Sequence, residues 1–145
     1  MASPFARPSR SNPSRLARGL AGLLLGSGTM HFLVPKPFDD IIPAEIPADP
    51  RLLTQVSGAA ELALGAGLLL PRTRRISAVG AAALFVAVFP ANVNMVRLWR
   101  DRPWPYRVIA IARLPLQFPL ISAAISIART PAVTADEPES QRSER

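Results

Sequence analysis

The chain has 145 residues, 49% of them apolar, with no cysteine, one histidine and a formal net charge of +7. That length suits one domain, and within this chain the missing cysteines exclude a disulfide framework, a CxxC redox pair, an iron–sulfur cluster and a Cys-ligated metal. The single His31 likewise excludes bis-histidine haem ligation and every two-histidine metal motif, so no haem, iron–sulfur or metal cofactor is expected from this chain alone.

Met1 to Ser14 is rich in Pro, Ser and Arg, lacks acids, and has nothing to bury, which predicts a disordered basic arm. No small-residue cleavage pattern follows the Leu20 to Leu25 run, and the apolar block continues to Val34, so the segment is expected to be retained as a membrane helix rather than removed as a signal peptide. The first predicted helix runs from Leu16 to Val34 and ends at Pro35 and Pro37, because proline lacks the amide hydrogen and disfavours helix at the residue before it. The loop from Pro35 to Arg51 mixes Asp39, Asp40, Glu45 and Asp49 with Ile41, Ile42 and Ile46 among several prolines, and reads as a stiff amphipathic flap.

Further helices are predicted over Leu52 to Leu70, ended by Pro71, over Ile76 to Trp99, and over Tyr106 to Ala128. Each has the roughly twenty residues that cross a ~30 Å hydrocarbon layer at about 1.5 Å per residue. From Thr130 the chain turns polar and is expected to be a disordered tail. The expectation is an all-α, transmembrane four-helix bundle over residues 15–129, with Trp99, Trp104 and Tyr106 as an aromatic belt at one interface.

The positive charge is better explained by lipid than by nucleic acid. Arg15, Arg18, Arg72, Arg74, Arg75, Arg97, Arg100, Arg102, Arg107 and Arg129 stand beside the apolar blocks, where headgroups would hold them. An even number of spans places both termini on one side. Counting arginines makes that side cytoplasmic, and a bacterial inner membrane is the expected location.

Small residues recur in the helices. Gly22 and Gly26 form a GxxxG pair, Ala59, Ala63 and Gly67 follow one another every four positions, and Gly80 to Ala83 with Ala123 and Ala124 continue the pattern. Close backbone approach is what joins helices in lipid, so these positions predict tight packing, with the Gly22 pair open also to a role as a dimer surface.

Five polar side chains lie inside the predicted spans. Glu61 sits near the middle of the second, where a charge costs on the order of 3 kcal/mol on insertion scales. It shares a face with Thr54, Ser57, Gly58 and Gly65, and Leu68 is expected to be exposed. Arg113 and Gln117 share a face of the fourth helix with Ala110 and Ala124, His31 closes the first, and Asn92 follows Pro90 in the third. Measured from the outer helix ends, His31 lies about 5 Å deep, Asn92 and Arg113 about 10 Å, and Glu61 and Gln117 about 15 Å. The helices run in alternating directions, so this agreement predicts one cavity open to the outer face. Pro90, Pro115 and Pro119 should free carbonyls near Val86, Ile111 and Pro115, either to line that cavity or merely as a by-product of kinks. For Glu61 with Arg113, a buried ion pair that holds two helices in register weighs evenly against a functional pair. Asn92 and Gln117 are read first as interhelical hydrogen-bonders, and His31 as lying close enough to the interface to meet water or headgroups.

Four stretches, HFLVPKPFDDIIP at His31 to Pro43, SGAAELALGAGLLLPRTRR at Ser57 to Arg75, FPANVNM at Phe89 to Met95 and RLPLQFPLI at Arg113 to Ile121, together resemble the DoxX-like family of small four-helix membrane proteins. The resemblance implies an inner-membrane bundle whose relatives are tied to redox work, including a small subunit of a quinone-linked thiosulfate-oxidising complex, while some animal relatives look like membrane assembly factors. His31, Glu61, Asn92, Arg113 and Gln117 fall in the matching stretches, and no catalytic role is carried over to any of them. The absence of cysteine sets this chain apart from thiol-using relatives.

The expected function is accessory to redox or quinone-linked membrane processes, with a place as a subunit of an oxidoreductase complex left open, and with a small, partly apolar molecule such as a quinone bound by His31, Glu61, Asn92, Arg113 and Gln117. The alternative is an assembly factor that packs against a larger membrane partner or a second copy and has no ligand of its own. A solute transporter ranks last, because four short spans without an inverted repeat leave little room for alternating access.

Overall fold

The computed structural model describes residues 13–130 and is helical throughout, with short connections. Its elements are α1 (Pro13–Leu33), α2 (Lys36–Asp39), α3 (Pro50–Leu69), α4 (Arg74–Ala87), α5 (Phe89–Leu98) and α6 (Trp104–Arg129). The expected polar arm and tail lie outside the described residues, except that Pro13 and Ser14 already belong to α1.

Local chemistry sets the ends of these helices. Pro35 stops α1 and opens the short α2. Asp49 caps α3, its side chain accepting from the Leu52 amide at 2.8 Å, with Pro50 in the first turn where its missing amide hydrogen costs nothing. At the other end of α3, the Nε–H of Arg74 donates to the Leu68 carbonyl at 3.0 Å, placing a cation on carbonyls that have no partner in their own helix. Arg74 therefore has a capping role besides any contact with headgroups.

The predicted third helix is two helices. α4 stops at Ala87 and α5 starts at Phe89, with Val88 between them. The cause is Pro90, which offers no amide hydrogen to Val86 and whose ring crowds that carbonyl. By contrast, α6 runs unbroken through Pro115 and Pro119.

In space α1 packs on α3, α3 on α4, α4 on α6 and α6 back on α1, closing a ring, while α5 continues along α6. One end of the ring is dry: Ala17, Leu20, Ala21 and Leu24 of α1 meet Leu68, Ala78, Ala81, Phe85, Ala124 and Ile127. Leu68 is thus fully buried rather than exposed.

The outward surface is apolar. Ile76 is 77% exposed, Phe118 and Leu33 68% each, and only 17% of the apolar window of α6 is buried. Water would penalise such a surface, whereas lipid would not. Among the described residues, three stretches are long and apolar enough to cross a membrane: Pro50–Leu69, Arg74–Leu98 across the break, and Trp104–Arg129. These features mark a membrane protein. Arg15, Arg18, His31 and several glycines keep α1 less apolar than those three.

Glycines set the closest approach. A Cβ on Gly58 would lie 2.6 Å from the Cβ of His31, and one on Gly28 would lie 2.9 Å from the Gly58 carbonyl oxygen, so α1 and α3 cross nearly backbone to backbone. Gly19, Gly22 and Gly26 have nothing within 4 Å of such a Cβ, and Ala59 and Ala63 are exposed. The predicted GxxxG pair and much of the alanine stripe therefore face outward and do not pack the ring.

Candidate functional site

The α1–α3 crossing carries His31 onto Glu61. His31 is 7% exposed, so it is buried rather than turned to water or headgroups. Its Nδ1 lies 2.9 Å from the Ser27 carbonyl oxygen, and because a carbonyl only accepts, Nδ1 carries the proton and Nε2 is the free side of the ring. The imidazole stacks on Phe38 with ring centres 3.9 Å apart. The same Nδ1 stands 3.8 Å from Oε2 of Glu61, an electrostatic contact beyond hydrogen-bond range. Oε2 is buried and has no hydrogen-bond partner.

Glu61 and Arg113 form no direct ion pair, which corrects one of the two sequence readings. The Arg113 side chain reaches α5, where its Nε–H donates to Oδ1 of Asn92 at 3.1 Å. It remains close enough for its charge to act on Glu61, as do His31 and the Ser27 hydroxyl. The pairing went elsewhere because Asn92, held at 4% exposure just beyond the helix break, offers the nearer acceptor.

These residues border one cavity of about 310 Å³. Its polar side is formed by His31, Thr54, Glu61, Asn92 and Arg113. Apolar walls come from Leu53 and Val56 of α3, from Leu84 and the break at Val88, and from Phe38, Ile41, Ile42 and Ile46 of the loop. The structure brings together four of the five candidates. Gln117 does not line the cavity: it is buried, and its amide donates to the Phe85 carbonyl at 3.0 Å, four residues before Phe89 and beside the Pro90 break. Asn92 and Gln117 are both interhelical hydrogen-bonders, and the accepting carbonyl is next to the Val86 predicted from Pro90.

The amphipathic loop forms a cover over this cavity, fastened at several points. Ile41 is buried against Met95 and Ala110, and Asn94 donates from Nδ2 to the Ile41 carbonyl at 2.9 Å. Asp39 Oδ2 accepts from Arg51 Nε at 2.8 Å. Burial works against ionisation of Asp39, but the nearby Thr54 hydroxyl and the Arg51 and Lys36 cations outweigh it and hold its carboxyl below the usual carboxylate range. Oδ1 of Asp39 and the Thr54 hydroxyl are both buried and close enough to influence each other, yet short of hydrogen-bond geometry.

Sequence reasoning missed Phe38 and Asn94. Asn92 and Asn94 stand two apart in FPANVNM, a spacing that cannot share one helix face, so each had to serve a different neighbour. That signal was present.

The family model described as a domain of unknown function, DUF8561, matches residues 20–128, so the chain belongs to that family. No curated protein and no solved structure matches it.

Proposed function

We propose that this DUF8561-family chain is a DoxX-like integral membrane protein, a four-helix bundle in which α1 is the fourth span. It serves redox or quinone-linked processes as an accessory and binds a small, partly apolar molecule, a quinone in the first instance, in its polar cavity. One observation carries this reading: a cavity of about 310 Å³, within the size range of small-molecule sites, has walls of Leu, Ile, Val and Phe and a cluster of His31, Glu61, Asn92 and Arg113 on one side. The DoxX-like stretches support it, since three of them supply the cover with His31, the helix break with Asn92, and Arg113 with Gln117. The arginine count supports cytoplasmic termini in a bacterial inner membrane, with the cavity in the outer half.

A quinone carbonyl finds donors here. Arg113 has given only Nε–H to Asn92, and the Asn92 amide nitrogen is free of that bond because the side chain uses its oxygen. Binding of a decyl-substituted benzoquinone to the detergent-purified protein is expected to weaken at least about tenfold in Asn92→Leu, which removes the amide donor and the acceptor that orients Arg113. It should stay within about twofold in Leu69→Ala, a control at a side chain 44% exposed. Equal effects, or no binding by the parent, would reject the reading.

The outward face of α1 favours a second reading, assembly with a membrane partner or a second copy. Gly19, Gly22 and Gly26 present bare backbone on one helix face. Gly22→Leu should then abolish co-purification of a stable partner, or dissociate a dimer, after mild detergent extraction. A monomer that binds the quinone and loses nothing in Gly22→Leu would exclude it.

A further inference from the structure

Glu61 makes a demand that a quinone does not meet. Its Oε2 is buried and lacks a hydrogen-bond partner, while the residue, only 8% exposed, lines the cavity. The His31 Nδ1–H is committed to the Ser27 carbonyl at 2.9 Å and stands 3.8 Å from Oε2, and the Ser27 hydroxyl, though close enough to act on the carboxyl, leaves Oε2 without a hydrogen bond. Arg113, on the same polar side, is a permanent cation, and Glu61 is the one acid among the lining residues. A carboxylate only accepts, and leaving it unpaired in a buried site is costly. A quinone also only accepts, so it satisfies Arg113 and Asn92 and leaves Glu61 unpaired.

We infer that Glu61 stands beside Arg113 as a carboxylate and that the cavity selects a ligand whose polar head both donates and accepts, a hydroquinone or hydroxyaryl amphiphile, with an O–H given to the Glu61 carboxylate and an oxygen set against Arg113 and Asn92. This rests on the ligand reading above and narrows it to the reduced form. By linkage, tighter binding of the reduced partner raises the reduction potential of the bound couple, by about 30 mV for each tenfold preference in a two-electron couple.

Decyl-substituted benzoquinone and its hydroquinone differ by two hydrogens and almost nothing in shape, so comparing them isolates the donor. Titrated anaerobically into the purified protein, the hydroquinone is expected to bind at least about tenfold more tightly, the scale set by pairing a buried charged acceptor. Glu61→Gln should reduce that preference to within about threefold, because the amide both donates and accepts. Equal or tighter binding of the quinone by the parent would overturn this inference and leave the ligand reading standing. Binding of neither would remove both. The parent comparison decides the matter even if Glu61→Gln fails to fold.

Discussion

Where α1, α3, α4 and α6 meet around Leu24, Leu68, Ala78 and Ala124, the ring is closed by small apolar side chains with essentially no exposure. About two to four turns away, the same α1 and α3 enclose His31, Thr54 and Glu61 beside a cavity, and the third rod is broken at Val88. The dry end is held by interdigitation of apolar side chains, with Ser77 against Gly67 as its buried hydroxyl. The cavity end is held by directional contacts, Arg113 to Asn92, Asn94 to Ile41 and Arg51 to Asp39, and Gln117 to Phe85 lies between the two ends. Close packing tolerates little change in volume, whereas a fastened cover over a void tolerates movement. The difference places rigidity at one end and access at the other.

The largest effect should come from the dry end. Leu24→Ala removes a side chain only 1% exposed and should destabilise the protein by about 2–3 kcal/mol, mostly lost packing, measured by unfolding in mixed micelles. A loss under about 0.5 kcal/mol would break the comparison, since that end would then not be close-packed.

At the waist between the two ends, Gly58→Ala forces a methyl against His31 and should cost about 1–3 kcal/mol by overpacking. Because it displaces His31 from Glu61, it should also weaken ligand binding. Leu24→Ala should leave binding nearly unchanged, and the same two assays on both variants test that separation.

Asn94→Ala removes the tether from α5 to Ile41 and should cost about 1 kcal/mol. Its signature is local. Amide exchange should accelerate over residues 38–48 and stay unchanged over 17–24; uniform acceleration would show that the cover and the dry end unfold together.

The smallest effect is electrostatic. Asp39 has a depressed folded-state pKa, so its contribution is complete above the unfolded value of about 4 and is lost as pH falls through the folded value. Since Arg51 is half-exposed, the loss should stay under about 1 kcal/mol. Amide exchange of the cover, compared between neutral and acidic pH after correction for intrinsic rates, should rise on acidification. Arg51→Gln should weaken that dependence without altering the dry end.

Much of the cavity was legible in the sequence because depth follows from counting residues along a helix. His31, Glu61, Asn92 and Arg113 were placed at related heights by that count and all border one cavity. Gln117 has a similar count but turns toward Phe85, and the direct Glu61–Arg113 pairing did not form, because height does not specify azimuth or which of two acceptors is nearer. The break at Val88 was written in Pro90, but so were comparable breaks at Pro115 and Pro119, through which α6 continues. A proline's local cost is the same in each case, and its neighbours decide whether the helix yields.

Composition and periodicity by themselves determined that the chain is helical, that it exposes apolar rods of membrane-crossing length, and that costly polar groups lie within them. These properties depend on residue type and on spacing along one helix. Only the tertiary structure decided that Leu68 is buried while Gly22 and Gly26 face outward, that Phe38 stacks on His31, and that Asn94 ties down the cover. Each of those depends on the rotation of one helix against another, and that rotation is set by how surfaces from distant parts of the chain fit together.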